Sequence, residues 1–288
     1  MNWDHIISDF RSYLRLERSM SENTIKSYIS DLQKLRPMWD ECDGHLDDLS
    51  QFLESLQDQG ISKRSQARMV SAIRTFYKFM ELEGHVNENP AEKIGTPKIS
   101  RYIPVVLSLD EVERIIASVD LSDPLGHRNK AILETLYSCG MRVSELVEMR
   151  ISDLFMEDSF VRVTGKGNKQ RLIPIGEPAK EAILHYLKQT SRQFAKGDIL
   201  FLNKNGKKLS RVMVFNIVKT HAAKAGVTKN ISPHTFRHSF ASHLVENGAD
   251  LRVVQQMLGH ESILTTEIYT HIDTQKWEKE ILSHHPRG

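Results

Sequence analysis

Between Pro90 and Pro104 the chain runs PAEKIGTPKISRYIP, with three prolines, a glycine and scattered charges but no apolar period. Proline removes a backbone donor and biases the residue before it towards extended conformations, so neither a helix nor a sheet ladder continues through such a stretch. One hydrophobic core cannot span it, and it reads as a linker between two compact units. A chain of 288 residues agrees, since about 150 residues per domain is a common size. The expected division is a helical domain over residues 1–90, a linker over 91–106 and a second domain over 107–288.

The first part carries only helical periodicity. Ile25, Tyr28, Ile29, Leu32 and Leu35 recur at helical spacing after Ser21, and Leu49, Phe52, Leu53 and Leu56 repeat the pattern up to Gly60. A later segment sets Val70, Ile73, Phe76, Tyr77 and Met80 on one side and Arg64, Arg68, Arg74 and Lys78 on much of the rest. Beyond the linker, Ser108 and Glu111 form a capping box ahead of Val112, Ile115, Ile116 and Val119. Asp123 and Pro124 then read as the cap and first turn of a helix that ends near Gly140. The period changes only once clearly. FVRVTGKGNKQRLIPIG alternates from Phe160 and turns back through Gly165–Asn168, a β-hairpin with Lys166 and Lys169 at its tip. LFLNKNGKKLS is a candidate for a second short hairpin, and helices fill the remainder up to breaks at Gly248, Gly259 and Asp273. The expected fold class is mainly α with a small β-sheet, an α+β second domain joined to an all-α first domain.

No run approaches the roughly 18 apolar residues of a membrane helix, and the acidic start MNWDHIISDF is no signal or transit peptide, so a cytoplasmic protein is expected. Cys42 and Cys139 stand alone, which argues against a disulfide framework or a thiolate metal site. Residues 1–100 hold 13 Lys+Arg against 16 Asp+Glu, a net −3, whereas the rest of the chain carries +5. The basic bias of the second part hints at a polyanionic partner, although charge clusters are often just solvated faces.

The segment SPHTFRHSFASHL, residues 232–244, holds three histidines and an arginine. His234 and His238 have the i, i+4 spacing of a helical zinc pair, but the position after His234 is Thr235 rather than Glu, and no third ligand follows at the usual spacing. His234 with Arg237 offers a second reading. Ser232 as cap and Pro233 in the first turn place both near a helix N-terminus, where imidazole, guanidinium and free N–H groups suit a phosphate. A polar helix face is the third reading, and this segment alone does not decide among them. The surroundings widen the set: CGMRVSELVEM supplies Arg142 and Glu145, the hairpin tip supplies Lys166, and MLGHESILTTEIYTHID supplies His260 and Tyr269. Two arginines, two histidines, a lysine and a tyrosine are the parts for metal-free attack on a phosphodiester.

Taken together, GMRVSEL, TGKGNK, SPHTFRHSFASHL, LGHESILTTEIYTH and the terminal HHPRG resemble the tyrosine recombinase/integrase family, most closely its Xer branch. ENTIKSYISDL resembles that family's N-terminal core-binding, SAM-like domain. The resemblance implies a two-domain C-shaped clamp on double-stranded DNA. It implies Tyr269 as the nucleophile forming a 3′-phosphotyrosyl bond, His234 as the proton acceptor, and Arg142 and Arg237 as the clamp on the phosphate oxygens. His260 would be a further donor, Lys166 the general acid and Glu145 a supporting residue. It implies no metal and no other cofactor. Arg64, Arg68, Arg74, Lys169 and Arg171 are candidates for the DNA backbone, with solvated faces as the alternative. Glu261 and Glu267 stand where neutral polar residues are frequent in the family.

As partners, the resemblance implies a homo- or hetero-tetramer on two recombination sites, a second Xer recombinase, an FtsK-type DNA translocase and no membrane. The implied task is resolving chromosome dimers at a dif-like site during cell division. A mobile-element integrase, a type IB topoisomerase and an inactive DNA-binding relative are the rival readings. The tail after Tyr269, with Ile272, Trp277, Ile281 and Leu282 as apolar anchors, is expected to dock on a neighbouring protomer.

Overall fold

A computed structural model describes residues 2–42, 46–92, 94–97, 105–165, 170–189, 197–259 and 283–287. The chain forms two compact units, Met1–Tyr102 and Ile103–Gly288. Each has a hydrophobic cluster of its own.

The first unit is built from α1 (Trp3–Leu16), α2 (Glu22–Cys42), α3 (Leu46–Asp58) and α4 (Lys63–Leu82). Ser21 Oγ accepts the N–H of Thr24 at the start of α2, and Ser62 does the same for Ser65 at the start of α4. The apolar stripes meet around Phe10, Leu32, Ile73 and Phe76, all fully buried. The segment expected to be a linker contributes to this core: Ala91 and Ile94 are buried. Arg74 holds them there, donating to the carbonyls of Ala91 and Ile94 and to Thr96 Oγ1.

The second unit begins with α5 (Leu109–Ala117), whose predicted capping box is present: Glu111 N–H donates to Ser108 Oγ, and Ser108 N–H to Glu111 Oε2. α6 runs over Gly126–Cys139, starting later than the Asp123–Pro124 reading. Asp123 instead closes a turn, accepting the Leu125 N–H on its side chain and the Gly126 N–H on its carbonyl. A Cβ on Gly126 would lie 2.1 Å from the Asp120 carbonyl oxygen, so this tight entry requires glycine. The short α7 (Val143–Glu148) follows.

The small sheet is antiparallel, in the order β1 (Leu154–Phe155), β2 (Phe160–Thr164), β3 (Gln170–Pro174). Val161 pairs with Ile173 and Val163 with Arg171, as a hairpin turning near 165–168 requires. β1 was not expected from the sequence. The second candidate hairpin is reduced to a single bridge, Leu202 to Lys208. α8 (Glu177–Gln189), α9 (Arg211–Lys224), α10 (Pro233–Glu246) and α11 (Leu251–Leu258) complete the described elements. Among the described residues no helix is long and apolar enough to cross a membrane.

The last described residues of the chain, 283–287, lie on their own second unit. Arg287 makes a two-pronged ion pair with Glu134 of α6 at 2.8 and 3.0 Å. The His285 ring lies 4.9 Å from Tyr137 and 5.4 Å from Phe240, and Asn247 donates to the His284 carbonyl at 2.7 Å. The apolar anchors Ile272, Trp277, Ile281 and Leu282 lie outside the described residues.

Candidate active site

α6 ends on Gly140 in the left-handed conformation, φ 54°. Two constraints require glycine there: L side chains disfavour that conformation, and a Cβ would sit 2.3 Å from the Phe240 ring. This close approach brings the end of α6 against α10. It leaves the Gly140 carbonyl accepting from Arg237 Nη1 at 2.9 Å. The chain then turns directly into α7, with Arg142 as its cap residue and Glu145 three residues on.

Glu145 is the centre of the site. Its Oε2 accepts the Arg142 backbone N–H at 2.8 Å and Arg171 Nη2 at 3.0 Å; its Oε1 accepts Arg142 Nη1 at 3.1 Å and Arg171 Nη1 at 2.9 Å. Burial would raise this carboxyl's pKa, but the hydrogen bonds and charge of Arg171, joined by Arg142, outweigh it and hold the group below its ordinary value. The site therefore contains a buried, ionised carboxylate whose acceptor capacity is filled.

Three guanidinium groups converge on the end of α11. Arg171 Nε donates to the Met257 carbonyl at 2.9 Å, Arg237 Nη2 to Leu258 at 2.5 Å and Arg142 Nη2 to Gly259 at 3.0 Å. The last carbonyls of a helix lack intrahelical partners and form the negative end of its dipole, so cations are favoured there. Because their acceptors are consecutive, Arg142 and Arg237 are brought side by side. Desolvation first, and then the Arg142 charge, push the Arg237 pKa down to about 10, which leaves it protonated at neutral pH.

α10 begins as the sequence implied. Ser232 caps it, accepting the Thr235 N–H, and Pro233 occupies its first turn. His234 and His238 are exposed, with ring centroids 4.6 Å apart. Burial, then the His238 and Arg237 charges, hold His234 below its ordinary 6.5, so the imidazole is neutral at pH 7 and able to accept a proton. Among the described residues no three His, Cys, Asp or Glu side chains are grouped to hold a metal ion. His243, on the buried side of the same helix, hydrogen-bonds Tyr137 Oη at 2.7 Å and belongs to the packing. Cys139 is buried too, which pushes its thiol up to about 12.

Of the residues singled out in the sequence, Arg142, Glu145, His234 and Arg237 come together here. Lys166, His260 and Tyr269 lie outside the described residues, as do Lys169, Glu261 and Glu267. His260 directly follows Gly259 in the chain, and Lys166 precedes β3 by four positions.

Arg171 has a different place from the one expected. Only 8% exposed, with all three nitrogens directed to Glu145 and Met257, its guanidinium is committed inside the protein and does not present itself to a DNA backbone. The sequence carried a signal for this, since Arg171 falls on the same side of β3 as buried Ile173. Arg74 is engaged by the carbonyls of Ala91 and Ile94, whereas Arg68 stays half exposed while anchored to a buried carboxylate. Arg68 pairs with Asp31, 1% exposed, through two hydrogen bonds of 2.8 and 2.9 Å. Arg64 is exposed.

Comparison with known proteins gives a consistent picture. Residues 105–276 match the model described as the phage integrase family, and residues 7–84 match the phage integrase N-terminal SAM-like domain. The chain is 44% identical to a tyrosine recombinase XerD of Chlorobaculum tepidum over 297 aligned positions, covering 99% of this chain and 98% of that protein. It is 41% identical to a tyrosine recombinase XerD of Staphylococcus saprophyticus over 294, covering 99% of this chain and all of that one. Among solved structures, a XerH site-specific recombinase bound to a palindromic difH substrate after cleavage has the same fold. Its TM-score is 0.73 at 24% identity, over 95% of this chain and 83% of that one.

Proposed function

The chain belongs to the phage integrase family, the tyrosine recombinases, and from that premise we propose that it is a Xer site-specific recombinase that cuts and rejoins double-stranded DNA through Tyr269. The observation that carries this reading is the side-by-side anchoring of Arg142 and Arg237 on consecutive carbonyls at the end of α11, one residue before His260. Two planar forks held together in a largely buried frame are a preorganised receptor for the non-bridging oxygens of one phosphodiester. No ordering cost falls on the moment of reaction.

In the proposed cycle the Tyr269 hydroxyl oxygen attacks the scissile phosphorus and the bond to the 5′-oxygen breaks, leaving a 3′-phosphotyrosyl link and a free 5′-hydroxyl. A phenol with an ordinary pKa of about 10 needs a proton acceptor, and the neutral imidazole of His234 is suited to that task. Lys166 delivers a proton to the departing 5′-oxygen. Arg142 and Arg237 neutralise the charge that grows on the pentavalent phosphorus, and His260 adds a hydrogen bond. A 5′-hydroxyl from a second duplex reverses the step, so bond energy is retained in the phosphotyrosyl ester and no nucleotide is consumed. Glu145 orients Arg142 throughout.

Within the same proposal, the working assembly is a tetramer on two recombination sites, with a second Xer recombinase and an FtsK-type translocase as further partners. The sites would be dif-like, and the outcome resolution of chromosome dimers. The names of the relatives and the match over nearly the whole chain support this. The test is a nicked suicide duplex carrying a candidate chromosomal site. A covalent protein–DNA adduct is expected, lost in Tyr269→Phe, together with intermolecular strand exchange between two sites. An adduct that survives Tyr269→Phe would refute the assigned nucleophile, and supercoil relaxation without strand exchange would indicate a topoisomerase.

A further inference from the structure

Arg171 differs from its two neighbours in the way its donors are used. Arg142 and Arg237 each donate through two nitrogens within the described residues and leave Nε for another acceptor, whereas Arg171 commits Nε, Nη1 and Nη2 to Met257 and Glu145. Exposure does not separate the three, since Arg237 is 5% exposed, Arg171 8% and the Arg142 side chain 42%; the use of the donors does. A guanidinium used in this way cannot also fork a phosphate. It does join three elements: β3, at the base of the hairpin that bears Lys166; α7, through Glu145; and the last turn of α11, next to His260.

We propose that Arg171 is a positioning residue of strand cleavage, fixing Glu145 and the end of α11 so that Arg142 and Arg237 present their forks at a set separation to one phosphate. This rests on the recombinase reading above and assigns a role within its site. The physical argument is one of degrees of freedom. Arg142 is oriented by Glu145 Oε1 and the Gly259 carbonyl, and Arg237 by the Gly140 and Leu258 carbonyls. Glu145 and the end of α11 are linked directly through the Arg171 side chain, which bonds the carboxylate with both Nη atoms and the Met257 carbonyl with Nε. Without that fork, Glu145 and the end of α11 are joined only through Arg142 itself, so a phosphate-binding guanidinium has to supply its own frame and its position relative to Arg237 is held less narrowly. Lysine has one donor group in place of the planar fork and cannot hold the carboxylate at two points while also reaching Met257.

The experiment compares Arg171→Lys and Arg171→Met with the wild-type full-length chain, reading single-turnover cleavage of the suicide duplex at saturating DNA and DNA affinity over a salt series. The expected result is a cleavage rate lowered about 10²-fold, the scale for displacing reacting groups by about 1 Å, with the dissociation constant and its salt slope unchanged. A duplex with a neutral methylphosphonate at the scissile position gives a readout that general loss of structure would not move. The charge the two forks neutralise is absent there, so the defect of Arg171→Lys should shrink below about tenfold if it acts through Arg142 and Arg237. If Arg171→Met does not fold, Arg171→Lys decides. Wild-type cleavage by Arg171→Lys, an equal defect on both duplexes, or a salt slope reduced by about one with weaker binding would each overturn the proposal. Absence of any adduct from the wild-type chain would instead remove the recombinase reading itself.

Discussion

Replacing Glu145 by glutamine keeps the volume of the side chain and changes only what its end can accept. The carboxylate, 3% exposed, receives four hydrogen bonds, two at each oxygen, and every donor is either a guanidinium or the Arg142 N–H. Whichever way the amide faces, its NH2 group meets two donors, so two bonds are lost and the buried Arg171 charge loses its counter-charge. Hydrogen bonds to charged groups contribute about 1.5–3 kcal/mol each, and breaking a buried ion pair costs about 3–5 kcal/mol. These count overlapping losses, so the expected destabilisation of the second unit is about 3–5 kcal/mol, a fall in its Tm of roughly 10 °C. Hydrogen exchange during denaturant titration reads the two units separately: peptides from α6 and α10 should lose protection at lower denaturant while those from α4 remain as in the wild type. The pH dependence gives a second check. Because the folded carboxyl titrates below its ordinary value of 4.5, the unfolded chain binds its proton first. The stability it contributes is complete above about pH 4.5 and is lost as pH falls through the lower folded value, an acid limb that the glutamine variant should lack. A destabilisation under about 1 kcal/mol with wild-type cleavage would mean that the carboxylate does not hold the arginines.

Gly140→Ala places a methyl 2.3 Å from the Phe240 ring at φ 54°, and overpacking plus left-handed strain should cost about 3 kcal/mol by equilibrium unfolding, with cleavage impaired because the Gly140 carbonyl no longer fixes Arg237. Arg68→Met strips the partner from buried Asp31 and should destabilise the first unit by about 3 kcal/mol; exposed Arg64→Met should leave stability within about 0.5 kcal/mol and, if it meets a phosphate, reduce the salt slope of DNA binding by about one. His285 is buried against Tyr137, Phe240 and His243, and burial lowers its pKa to about 4. The unfolded or undocked tail therefore takes up a proton first, so docking is strongest above pH 6.5 and weakens as pH falls from 6.5 towards 4, by up to about 3 kcal/mol. Carboxypeptidase trimming of the last residues should accelerate from pH 7 to pH 5, and His285→Phe should flatten that dependence.

The sequence by itself determined what short-range physics controls. Periodicity, the Ser108–Glu111 capping box, the Ser232–Pro233 helix start and the left-handed stops at Gly140 and Gly259 are written in residues a few positions apart, and the helices and hairpin they imply are present. The motifs around Arg142, Glu145, His234 and Arg237 were legible for the same reason, as each lies on one element. Where the reading departed from the structure, a distant partner decided the outcome. Arg171 and Arg74 looked like surface cations because their acceptors, Glu145 and Met257, and the carbonyls of Ala91 and Ile94, are 17 to 86 positions away in the chain. The ion pair of Arg287 with Glu134, 153 positions earlier, is a contact that neighbouring residues likewise do not encode. A basic side chain is equally at home in water or against a buried acceptor, and its own neighbours in sequence carry no energy difference between the two. Only the folded arrangement, which buries a carboxylate or leaves helix-end carbonyls unpaired at one particular place, makes that choice.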